Sequence, residues 1–136
     1  MQERHNLNKL GLLIGVIGAL AVVLGAFGAH SLKALLPTDK LATYNTGVSY
    51  HFYHLFAMTL AWFLMEKSKG KWAKRSFWCF CVGILFFSGS IYLLATRDLI
   101  GLVNYKWLGP ITPVGGLFFI LGWLFLGLSL YNKNVN

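Results

Sequence analysis

LGLLIGVIGALAVVLGAFGA, residues 10–29, runs for twenty residues without a charge. At about 1.5 Å of rise per residue, a helix of that length reaches across the ~30 Å hydrocarbon core of a bilayer. The run is apolar on every face, which a helix tolerates when lipid surrounds it. A secretory signal peptide is the rival reading, because Arg4 and Lys9 precede the run and Ala26-Phe27-Gly28 looks like a small-x-small cleavage site. Against it, the run exceeds the ~7–15 apolar residues of a signal core. Inside the run, Gly11, Gly15, Gly18 and Gly25, with Val22 and Ala29, predict one stripe where a partner helix approaches closely, making this helix a packing centre.

Three further stretches extend the pattern. Pro37-Thr38-Asp39 is a helix-start signal, with Thr38 or Asp39 placed to accept the first free backbone amides. A helix from Asp39 to Glu66 has 28 residues, roughly 42 Å. That exceeds the hydrocarbon thickness, so its polar start (Lys40, Thr43, Tyr44, Asn45, Thr46) is expected in the headgroup region, with the span proper beginning near Gly47. The third and fourth stretches, residues 77–95 and 108–131, carry no charge. In the fourth, Gly109-Pro110-Ile111-Thr112-Pro113 reads as an opening turn in which Thr112 helps to satisfy freed backbone groups. Gly115, Gly122 and Ser129 recur behind it at a spacing of seven. The expectation is an all-α fold. It is an integral membrane four-helix bundle forming one domain over residues 1–136, with spans near 10–29, 47–66, 77–95 and 108–131 and an interfacial extension at the start of the second helix.

Composition agrees: 57% of residues are hydrophobic and 12% charged, outside the usual range of a soluble domain. The net charge of +8 raises nucleic acid as a partner. Yet five of the twelve basic residues, Lys67, Lys69, Lys71, Lys74 and Arg75, sit in one short connector between apolar blocks, against lipid headgroups. The expected partner is therefore the bilayer, with a second copy or another membrane protein as a further one, and no nucleic acid. Counting basic residues gives eight on the side of the termini (Arg4, Lys9, Lys67, Lys69, Lys71, Lys74, Arg75, Lys133) and four on the other (Lys33, Lys40, Arg97, Lys106). The positive-inside bias then places both termini in the cytoplasm and the protein in the plasma membrane. Trp72 and Tyr131 on one side, and Tyr92, Tyr105 and Trp107 on the other, stand where interfacial aromatic anchors belong. The adjoining Arg97 and Asp98 read as an exposed boundary pair. Cys79 and Cys81 point about 200° apart on a helix, which excludes a local disulfide.

No nucleotide loop, dinucleotide fingerprint or hydrolase motif is present, and the spans hold no carboxylate, which counts against ion-coupled transport. Histidine is the titratable type that remains. His51 and His54 lie three apart, about 60° around one helix, on a face shared with Tyr44, Gly47 and Met58. His30 ends the first span on the same side of the membrane, so an antiparallel hairpin of the first two helices would set all three in one layer. Functional readings and a structural one follow. The histidines form a metal site, a haem pair or a proton relay, as neutral imidazole permits; or each bonds a neighbour across helices and locks the bundle. A small-solute channel or carrier would need Thr59, Ser88, Ser90 and the histidines to converge on one path.

Gly25-Ala26-Phe27-Gly28-Ala29-His30, then Leu41-Ala42-Thr43-Tyr44, Thr46-Gly47-Val48, Tyr50 and Tyr53-His54, resemble the signature of the YgdD/YwdK type of uncharacterised small four-span membrane proteins. Phe87-Ser88-Gly89-Ser90-Ile91-Tyr92-Leu93-Leu94 and Leu108-Gly109-Pro110-Ile111-Thr112-Pro113-Val114-Gly115-Gly116 resemble the same family. Ser31 and Pro110 depart from it, standing where the family tends to have glycine and alanine. The resemblance implies a multi-pass plasma-membrane protein with no assigned activity and no known cofactor. It also implies that His30 and His54 belong to the family pattern, with His51 less clearly part of it, which weakens a three-histidine site. The leading expectation is a structural or accessory membrane component, leaning away from an enzyme. The alternative is a metal- or haem-binding redox protein using His30 with His54, and His51 beside them.

Overall fold

The computed structural model describes residues 2–67, 71–101 and 108–133, and nearly all of them are helical. Helix α1 (Gln2–His30) leads through a single 3-10 turn (Leu32–Ala34) to α2 (Thr38–Lys67). A third rod is continuous over Lys71–Thr96. It consists of α3 (Lys71–Gly83), a π-helical turn (Ile84–Ser88) and α4 (Gly89–Thr96). Helix α5 (Leu108–Lys133) completes a four-rod bundle. Three of the rods, the first, third and fourth, are long and apolar enough to cross a membrane. Helix α2 is as long as any of them, but the tyrosines, histidines and hydroxyls of its first half lower its hydropathy.

The glycines set how the rods meet. A Cβ on Gly11 would touch Trp62, one on Gly18 would meet Leu55, and one on Gly25 would meet Val48. Each step of seven up α1 matches a step of seven down α2, so the two helices run antiparallel in a fixed register. Ala21, with 0% exposure, and the buried Gly28 fill the intervening positions of this seam. The Trp62 indole fastens its far end by donating to the Leu7 carbonyl at 2.9 Å. Gly15 has nothing within 4 Å, and Val22 and Ala29 are exposed. The expected stripe therefore divides into a seam against α2 and an open row beside it. Nor is α1 the packing centre. Among the described residues it packs only against α2 and the turn that follows it, while α2 touches every other rod.

A second seam repeats the arrangement between the third rod and α5. Gly122 faces the Phe80 ring, Gly83 faces the Phe119 ring, and Gly115 faces the backbone of Phe86 and Phe87. The buried Ser129 continues the small-residue row expected in α5. Between the seams lies the main core, with Met58 and Ala61 of α2 against Phe77 and Phe80 of α3 and Phe119 of α5. A smaller cluster of Leu32, Tyr44 and Ala95 closes the opposite end.

The π-helical turn sits where α5 comes closest, at Gly115. Before it, Phe80 and Gly83 face α5; after it, Ile91 and Tyr92 face Gly47 of α2, and Ser90 still reaches α5. Helix α5 already begins at Leu108, so Gly109–Pro113 is its first turn and a half rather than a separate turn. Thr112 bonds Ser90 of α4 at 2.6 Å in place of its own backbone. Lys69, Tyr105, Lys106 and Trp107 lie outside the described residues.

Candidate functional site

The α1–α2 register decides where the three histidines stand. Gly25 is level with Val48 and Gly18 with Leu55, which puts His51 level with Val22. His30 lies eight residues further along α1, about 12 Å away on the axis, and is exposed at the helix end. The structure does not bring His30 into the layer of the other two.

His51 and His54 are both buried, at 4% and 6% exposure, yet they serve different seams. The His51 Nδ1 lies 3.1 Å from the Tyr92 hydroxyl of α4. The Tyr92 ring is 5.0 Å from the Tyr44 ring, and the Tyr44 hydroxyl donates to the Leu24 carbonyl of α1 at 2.9 Å. Three rods are thus tied in one polar layer. Tyr92 belongs to that layer and is half-buried. The His51 Nε2 is buried without a hydrogen-bond partner.

His54 faces the other way. Its ring lies flat on Phe119 of α5, with centroids 3.4 Å apart and planes 6° from parallel, and Phe80 and Trp123 stand around it. Its Nδ1 is 2.7 Å from the Tyr50 carbonyl one turn back. A carbonyl only accepts, so Nδ1 carries the proton. Tyr50 in turn stacks on Phe87 at 4.7 Å. Among the described residues, no three His, Cys, Asp or Glu side chains stand where they could hold a metal ion. Cys79 and Cys81 are free thiols, as their spacing predicts.

The hydroxyls expected to line a path are engaged separately. Thr59 bonds the Leu55 carbonyl of its own helix at 2.9 Å. Ser90 donates to the Phe87 carbonyl at 3.0 Å and so accepts from Thr112. Ser88 has 0% exposure and its hydroxyl has no partner. The remaining motif residues are mostly seam positions: Gly25 against Val48, Gly28 against Tyr44, Gly47 against Ile91 and Tyr92, and Gly115 and Gly116 against Phe87. Gly89 has open space around it, and Pro113 is exposed. Sequence reasoning missed Ser76, which donates to the Gly122 carbonyl at 2.9 Å in full burial, and the Trp62 bond to Leu7. Ser76 lies one turn before Phe80, on the face turned to α5; Trp62 carries no comparable sequence signal.

The family described as "Protein of unknown function (DUF423)" matches residues 24–116, a span that includes each of the quoted motif runs. The chain belongs to the DUF423 family. Relatives of the chain carry the description UPF0382 membrane protein. YwdK of Bacillus subtilis is 39% identical over 120 residues, covering 87% of this chain and 93% of its own. A protein of Haemophilus influenzae is 39% identical over 126 residues, covering 93% and 96%. One from Staphylococcus aureus is 35% identical over 126 residues, covering 90% and 96%. No solved structure matches the chain. This DUF423 chain is therefore a multi-pass membrane protein of a family to which no activity is assigned. Neither the redox nor the channel reading gains support from the arrangement of its polar side chains.

Proposed function

We propose that this chain is a structural or accessory component of the plasma membrane, without catalytic chemistry of its own, and that its buried polar residues hold helices together. The observation that carries the reading is His54: its ring is spent on Phe119 and its proton on the Tyr50 carbonyl. In a bilayer a polar group that bonds within the protein avoids an unsatisfied state; the Tyr50 bond does this inside α2, and the stack on Phe119 is what joins α2 to α5. The four spans near residues 10–29, 47–66, 77–95 and 108–131, with both termini in the cytoplasm, belong to this proposal and rest on the eight-to-four bias of basic residues.

Absorption spectroscopy and elemental analysis of detergent-purified protein test it. A colourless sample without stoichiometric metal is expected. A haem band, or one metal per chain that disappears in His54→Ala, overturns it in favour of a redox role. A green fluorescent protein fused to the C-terminus should fluoresce in cells, and a dark, exported fusion would reverse the orientation. The open row of Gly15, Val22 and Ala29 supports self-association as part of the role. Light scattering in detergent should then read a mass above one chain, and a monomer would remove that part.

A further inference from the structure

We propose that the start of the third rod is a binding site for an anionic phospholipid, with its phosphate held by Lys71, Lys74 and Arg75 and an acyl chain lying along Trp78 and Phe125. These side chains, with Cys79, line an open groove of about 500 Å³ between α3 and α5. Positions 71, 74, 75, 78 and 79 follow one face of α3 at successive turns, so charge and apolar surface are ordered along a single stripe about 12 Å long. The cationic end comes first. The apolar end lies deeper, toward the middle of the rod, where Trp78 is 44% exposed. A phospholipid has the same order, with charge at the headgroup and hydrocarbon beneath it.

The cations are gathered and uncommitted. Trp72 collects two of them, with the Arg75 guanidinium 4.9 Å and the Lys71 ammonium 5.4 Å from its ring. The Trp72 ring is itself braced by Phe125 at 5.5 Å. Among the described residues the ion pair is Arg97–Asp98, at the opposite end of the same rod, and no carboxylate pairs with Lys71, Lys74 or Arg75. Three exposed cations around an apolar-floored groove are complementary to a phosphodiester that carries net negative charge and is anchored by its own tail.

The test is tryptophan quenching in phosphatidylcholine vesicles doped with either phosphatidylglycerol or phosphatidylcholine carrying brominated tails. With three cations engaged, wild-type protein should be quenched by brominated phosphatidylglycerol at a mole fraction about a hundredfold lower than by brominated phosphatidylcholine, and Trp78→Phe should remove that difference. At about 1 kcal/mol per cation near the surface, Arg75→Gln should lower the preference about fivefold. The triple variant Lys71→Gln/Lys74→Gln/Arg75→Gln should abolish it, while Lys33→Gln/Lys40→Gln leaves it intact. Equal quenching by the two lipids in the wild type overturns the proposal and involves no variant whose folding could fail. So does a preference that survives the triple change, or one that inorganic phosphate displaces, since that points to a free anion as the ligand.

Discussion

Replacing Gly115 by alanine tests the closest approach in the bundle. The added methyl would collide with backbone atoms of Phe86 and Phe87, not with the mobile end of a side chain. Backbone cannot rotate aside, so α5 must move away from the π-helical turn and loosen the rows at Phe119 and Phe80. Overpacking of this kind costs about 1–3 kcal/mol. A backbone collision falls in the upper part of that range, about 2–3 kcal/mol, and removing a mid-helix glycine returns up to about 1 kcal/mol, which leaves a net destabilisation of about 1–2 kcal/mol. Gly127 provides the control, because nothing lies within 4 Å of its Cβ direction. Gly127→Ala should be neutral or slightly stabilising. Unfolding by sodium dodecyl sulfate in mixed micelles, followed by circular dichroism and tryptophan fluorescence, ranks the series. The expected order of loss is Gly115, then Gly122 against the wholly buried Phe80 ring, then Gly18, whose neighbour is a movable Leu55 methyl. A Gly115→Ala protein as resistant as the wild type would refute the seam.

The same assay reads three other perturbations. His54→Ala should destabilise the bundle by about 1–3 kcal/mol, and His54→Phe by less, because the stack on Phe119 survives; equal losses would show that the ring contact contributes nothing. Tyr92→Phe strips the partner from the His51 Nδ1 and should cost about 1–3 kcal/mol, and a double-mutant cycle with His51→Phe should return a coupling near 1 kcal/mol. Strict additivity would contradict the bond. Ser76→Ala should cost about 0.5–1.5 kcal/mol by removing a buried donor from the Gly122 carbonyl, while Ser49→Ala, on the partly covered side of α2, should be silent.

The helical rods could be read from the chain because hydrocarbon demands long apolar stretches, and the α5 row of Gly115, Gly122 and Ser129 could be read because small residues repeat at seven. The same rule overreached on α1. Gly15, Val22 and Ala29 also recur at seven, but that row needs a second neighbour, and spacing along one helix does not reveal how many helices surround it. The histidine layer failed for a related reason: pairing α1 with α2 was foreseeable, but the register that sets His30 about 12 Å from His51 lies in which glycine meets which side chain. The contact between Tyr92 and His51 was hidden in the same way, since it depends on which face of α4 meets α2.

Both seams work as scales with a seven-residue division. A slide by one residue would set bulk against bulk, so the nearest alternative alignment that keeps glycine under a large side chain is a jump of about 10.5 Å. For α2 against α1 that jump would drag Glu66 and Lys67, or Lys9, into hydrocarbon, at roughly 2.5–3.5 kcal/mol for each charge. Side-chain shape thus permits only coarse steps, and the thickness of the bilayer selects among them.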